Sequence, residues 1–140
     1  MAVHVLAVLA YKEGDPVTSA LLAGSVNTNP VIIRRLLLTL KRARLIETRK
    51  GAGAGSRLSR APQRVNLAEI YRAVEPRETF TSPSKKPDAE CPVGNCIRKT
   101  LNKVFISAEN ALERDLEKTT LADVVQAAKE TCMAGKKRTV

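Results

Sequence analysis

The sequence predicts a mainly α fold with one small β-hairpin and a long C-terminal helix. Three observations carry that expectation. Asn27–Arg44, NTNPVIIRRLLLTLKRAR, opens on a capping signal and then repeats apolar residues at three- and four-residue spacing. Two short runs, LIETR and RLSR, flank the glycine-rich loop KGAGAGS, as the strands of a hairpin do. After Pro92 a single apolar stripe continues at helical spacing from Ile97 to Leu116.

Composition agrees with helices packed on helices. The chain of 140 residues has room for one domain and an appendage. Its aromatic residues are only Tyr11, Tyr71, Phe80 and Phe105, so the core must be built of Leu, Ile, Val and Ala. The net charge is +10, and its position matters more than its size. Residues 34–64 hold ten Lys or Arg against the single Glu47, a net +9. A block of that kind is the electrostatic footprint expected of a nucleic-acid-binding face. No apolar run reaches the roughly 20 residues of a membrane span, and no secretory leader pattern opens the chain. Three cysteines form no disulfide framework. A cytoplasmic protein without a membrane partner is expected.

Taken in order, Ala2–Tyr11 is apolar almost all round, the mark of a short, deeply packed helix. His4 on that helix is expected to be a satisfied core histidine. Gly14 and Pro16 end the helix. Thr18 or Ser19 can cap a second one, Ala20–Val26, with Leu21, Leu22 and Val26 inward. Asn27, Thr28 and Asn29 then turn the chain. Asn29 suits the N-cap and Pro30 the first helical position, where no N–H partner is needed. Ile33, Leu36, Leu37 and Leu40 face the core, while Arg34, Arg35, Lys41, Arg42 and Arg44 fall mostly off that face. Leu45–Arg49 and Arg57–Arg60 read as strands. Glycine at every second position between them lets the loop approach another surface closely. A phosphate-cradling loop would lead into a helix, whereas here a strand follows. Asn66 caps a helix Leu67–Val74. Glu75–Glu90 is polar and rich in proline, a hinge or loop. Thr120 caps a last short helix, from Leu121 to about Thr131.

Two short helices joined by a tight polar turn, the second one basic and followed by a basic hairpin, form a winged helix-turn-helix. The expected division is residues 1–75 for the DNA-binding domain and 76–91 for the hinge. Residues 92–134 hold a long dimerisation helix and a short final helix, and 135–140 a tail. On this reading Thr28, Asn29, Val31 and Ile32 lie nearest the bases of double-stranded DNA. Arg34, Arg35, Lys41, Arg42, Arg49, Lys50, Arg57 and Arg60 supply phosphate attraction. The stripe Ile97, Leu101, Val104, Phe105, Ala108, Leu112 and Leu116 buries itself in a homodimer, as paired reading heads require.

The run Val17–Val74 resembles the Rrf-two (BadM-type) winged-helix transcription regulators. The resemblance rests on NTNPVIIRRLL, LKRARLIETRKGAGAGSRLSRAP and VNLAEIYRAVE, followed by CPVGNC at the head of a long helix. It implies a homodimer whose long helices cross. It also implies DNA contacts from Thr28, Asn29, Val31, Ile32, Arg34 and Arg35. Lys50 and Gly51 stand where the family has Arg-Gly at a wing that enters the minor groove. Lys50, Ala54 and Ser56 depart from the family's usual Arg, Gly and aromatic. Cluster-binding members carry three cysteines between hinge and long helix. Here only Cys91 and Cys96 are in place and Cys132 lies a helix away, so the resemblance is to the cluster-free branch. No cofactor and no metal site are expected.

The expected function is sequence-specific regulation of transcription, as a dimeric repressor on a pseudo-palindromic operator. A small effector, or an oxidant acting on Cys91 and Cys96, is the candidate signal; the alternative is that both are ordinary cysteines without a sensing role. Those thiols stand near a helix start, with Lys85, Lys86 and Arg98 close in sequence. The alternative is a protein-interaction module that keeps the winged helix without reading DNA. One histidine and no paired catalytic carboxylates in a glycine-framed site argue against an enzyme.

Overall fold

The computed structural model describes residues 1–12, 14–75 and 91–136. The helices are α1 (Ala2–Tyr11), α2 (Ser19–Val26), α3 (Pro30–Arg42), α4 (Leu67–Val74), α5 (Pro92–Leu116) and α6 (Leu121–Lys136). Strands β1 (Ile46–Arg49) and β2 (Gly55–Leu58) form the hairpin, and a short 3-10 turn covers Pro62–Arg64. The hinge expected at 76–91 lies outside the described residues except for Cys91. So do Lys85, Lys86 and the last four residues of the tail.

α1 is buried because almost every side chain on it is apolar. Ala2, Val5, Leu6 and Leu9 meet Leu22, Ile33, Leu40 and Ile70 in one continuous core. His4 falls beyond the edge of that buried stripe. It is exposed, correcting the expectation of a core histidine, and its Nε2 pairs with Ser25 Oγ at 3.2 Å.

The turn between α2 and α3 follows from its polar side chains. Thr18 Oγ1 accepts from Leu21 N at 3.3 Å at the start of α2. α2 ends on Asn27 in the left-handed region (φ 55°), a conformation asparagine tolerates better than most residues. Asn29 Oδ1 then accepts from Val31 N at 2.8 Å, with Pro30 at the first position of α3. A helix of eight residues has one narrow inner face, and Leu22 and Ala23 occupy it. Leu21, expected inward, is exposed.

α3 closes on Arg44, a non-glycine residue at φ 58°. That conformation costs about 1 kcal/mol, and Ser59 Oγ donates to the Arg44 carbonyl at 2.6 Å to hold it. The hairpin register pairs Ile46 with Leu58, Glu47 with Arg57, Thr48 with Ser56 and Arg49 with Gly55. β2 therefore begins two residues before the predicted Arg57. The reason is Val17, which exchanges two backbone hydrogen bonds of 2.8 Å with Ser56. A Cβ at position 55 would lie 2.8 Å from the Pro16 carbonyl carbon and the Val17 nitrogen, so only glycine fits.

α4 begins where Asn66 Oδ1 accepts from Glu69 N at 2.9 Å. The same stretch pins the α5–α6 turn, because Leu67 N donates to Thr119 O at 3.0 Å and Leu121 N to Val65 O at 2.7 Å. Leu121 is fully buried, and α6 packs along α1. α6 thus belongs to the head around α1–α4, and it runs to Lys136 rather than to Thr131. Its start is a reciprocal capping box. Asp123 Oδ2 accepts from Thr120 Oγ1 at 2.7 Å and Thr120 N at 2.8 Å, while Asp123 N donates back to Thr120 Oγ1 at 3.2 Å. The Thr120 hydroxyl, then its backbone N–H, hold the Asp123 carboxyl below its usual range.

α5 touches the head through α4. Arg72 Nε donates to Glu113 Oε2 at 2.8 Å and its Nη2 to Glu117 Oε1 at 2.6 Å. These two bonds, to Glu113 first, raise the already high Arg72 pKa further. No described residue of α5 is buried. Ile97, Leu101, Val104, Ala108 and Leu112 are exposed, and Phe105 and Leu116 are half-buried. No helix among the described residues is long and apolar enough to cross a membrane.

Candidate nucleic-acid interface

α3 is held by its own leucines, which leaves the start of the helix to solvent. Ile33, Leu37 and Leu40 are buried, while Asn29, Arg34 and Arg35 are exposed and Thr28 is half-buried. Val31 and Ile32 are 48% and 44% exposed. Apolar side chains so placed on a cationic helix gain nothing from water, and thymine methyl groups in a major groove would offer them contact.

Beside α3 lies a groove of about 490 Å³, walled by the hairpin and by the start of α2. It brings together Arg34, Lys41, Arg49 and Lys50, four of the residues expected to attract phosphate. Gly51 (φ 83°) and Gly53 (φ 74°) make the hairpin turn next to Lys50, in a conformation side chains rarely adopt. Arg42 is exposed on the last turn of α3, where a cation also favours the helix dipole.

Three of the predicted basic residues are engaged within the chain. Lys41 Nζ donates to Thr48 Oγ1 at 2.8 Å and braces α3 against β1. Arg57 Nη2 donates to Glu47 Oε2 at 3.0 Å, directly across the hairpin. Arg60 pairs with Glu69 and lines a different groove, with Leu9 of α1 and Gln126 of α6. Sequence reasoning missed Thr18, Ser19 and Leu38, which line the groove beside α3. The N-cap role of Thr18 was legible; that the cap faces the hairpin follows from the Val17–Ser56 pairing alone.

Cys91, Cys96 and Cys132 are exposed. Cys91 Sγ accepts from Gly94 N at 3.3 Å and so serves as the N-cap of α5. Cys132 lies on α6, in a groove shared with α1 and α2. Among the described residues no three His, Cys, Asp or Glu side chains gather where they could hold a metal ion. The donors an iron centre needs are therefore not brought together by these residues.

A helix presented by a helix-turn-helix, beside a basic hairpin and over a cationic groove, defines a winged helix-turn-helix DNA-binding regulator. The Rrf2 family model, described as an iron-dependent transcriptional regulator, matches residues 1–127, and the chain belongs to that family. It is 36% identical over 125 residues to YwnA of Bacillus subtilis (strain 168), provisionally assigned as an HTH-type transcriptional regulator. The match covers 89% of this chain and 92% of YwnA. A crystal structure provisionally assigned as a DNA-binding protein is 37% identical, with a TM-score of 0.71, over 88% of this chain and 94% of that one. A provisionally assigned transcriptional regulator from Lactobacillus plantarum gives 27% identity and a TM-score of 0.76, over 99% and 95% of the two chains. The protein is a DNA-binding transcription regulator.

Proposed function

We propose that the protein acts in the cytoplasm as a homodimer on a pseudo-palindromic operator, with α3 in the major groove of each half-site. The observation that carries this reading is the exposed pair Val31 and Ile32 at the start of a helix whose other outward residues, Leu38 apart, are polar or cationic. Thr28 and Asn29 stand beside them as polar readers, and Arg34 and Arg35 reach guanine edges or phosphates. Arg34, Arg49, Lys50 and Arg42 supply phosphate attraction, with Gly51 allowing the hairpin tip close to the backbone. Lys41 acts mainly through its brace to Thr48. Arg57 orders the hairpin through Glu47, and Arg60 contributes least, since Glu69 compensates its charge on another groove.

The dimer is supported by the α5 residues Ile97, Leu101, Val104 and Leu112, which stay exposed among the described residues. Cys91, exposed at the N-cap of α5, is the thiol whose oxidation would disturb that helix, with Cys96 further along it.

Selection of bound fragments from random duplexes, followed by binding at graded salt, tests the reading. A two-fold site is expected. For eight phosphates contacted per dimer, log affinity should fall against log salt with a slope of about −7. Arg34→Ala should lose site preference, whereas Arg60→Ala should change binding less than about twofold, the size of a compensated surface charge. A flat salt response, or equal losses for both variants, contradicts the assignment.

A further inference from the structure

We propose that the groove between α1, α2 and α6 binds a small organic anion with an apolar body, an aromatic or medium-chain carboxylate. The groove encloses about 780 Å³, within the usual span of small-molecule sites. Three helices wall it with apolar side chains, among them Val8 of α1, Leu21 of α2, and Ala128 and Met133 of α6. Leu21 and Met133 are 57% and 68% exposed, so the chain leaves part of that wall in water.

The charged groups are few and cationic. Lys12 and Lys129 line the groove, and no Asp or Glu does so among the described residues. Lys129 Nζ stands 5.3 Å from the centre of the Tyr11 ring, which steadies the ammonium at the groove wall. His4 and Ser25, already joined at 3.2 Å, offer further hydrogen-bonding atoms. An apolar wall with a few convergent cations recognises a carboxylate that carries a hydrocarbon or ring. Charge disfavours the first half of α5 from a second copy as occupant. That half carries Arg98, Lys99 and Lys103, with no acidic residue from Cys91 to Ala108. Because Leu21 and Ser25 lie on α2, the bound molecule would touch the element that presents α3.

The test uses the full-length protein and the anionic dye 8-anilinonaphthalene-1-sulfonate, with octanoate and octylamine as competitors. Saturable dye binding is expected, displaced by octanoate and not by octylamine. Lys12→Glu with Lys129→Glu should weaken dye binding about tenfold, the size of reversing two partly exposed charges. Leu21→Gln should weaken it as well, and at an exposed position it leaves the melting curve in place. Unchanged affinity in Leu21→Gln, or equal displacement by octylamine, overturns the proposal. So does a change of oligomeric state in Leu21→Gln, which would give the groove to a second copy.

Discussion

α3 and α5 are both amphipathic helices with basic residues off the apolar face, yet they solve the burial problem differently. In α3 the stripe of Ile33, Leu37 and Leu40 is removed from water by the chain's own α2, α4 and β1. In α5 most of the stripe remains in water among the described residues, with Leu101 39% and Val104 57% exposed. An identical periodic pattern therefore specifies that a face needs a partner and is silent about whether the partner is in the same chain. The anchoring differs accordingly. α3 is fixed by packing, an asparagine cap and the Lys41–Thr48 brace, whereas α5 is tied to the head by Arg72 and by the bridge between Asn66 and Thr120.

Leu40→Ala removes a fully buried side chain from under α3 and should cost about 2–5 kcal/mol of unfolding free energy in a urea titration. A loss below about 1 kcal/mol would mean the α3 face is not the core. Leu101→Glu in α5 should leave the head's melting temperature nearly unchanged, because no core contact is lost. Sedimentation should then report monomers where the proposed dimer stood. An unaltered sedimentation coefficient would remove α5 from the interface.

Smaller effects probe the ties of α5. Arg72→Ala breaks both bonds to Glu113 and Glu117, but the side chains are about half exposed and solvent screens them. The expected loss is about 0.5–1 kcal/mol, with faster amide exchange along residues 109–117. The least effect is the pH response of the α6 cap. Asp123 titrates below its ordinary value of 3.8 in the folded chain, so its contribution is fully present above that value. It is lost as pH falls through the lowered folded pKa. Asp123→Asn should flatten that segment of the acid melting curve, and an unchanged curve would show that the box does not tie α6 down.

Much of this fold was legible because local chemistry and global packing agree. Asn29 and Pro30 announce α3, Asn66 announces α4, and Thr120 announces α6; each cap appears where its side chain suggested. The glycine alternation indicated a close approach, and Gly55 makes it. What was not legible depends on residues distant in sequence. Nothing near Arg57 says that Val17 will pair with Ser56 and draw β2 two residues earlier. Nothing near Arg60 says that Glu69 will take its charge. His4 and Leu21 looked inward only because their helices are apolar on average.

By itself the sequence determined the helices, their caps, the two-residue rhythm of the hairpin loop and the concentration of positive charge around α3. These follow from propensity, periodicity and composition, which act within a few residues. Tertiary structure alone decided which cations line the groove beside α3, which are spent on Glu47, Glu69 and Thr48, and that α6 returns to α1 and leaves a lysine-lined groove there. Those outcomes need the distance between side chains far apart along the chain, and distance is what folding sets.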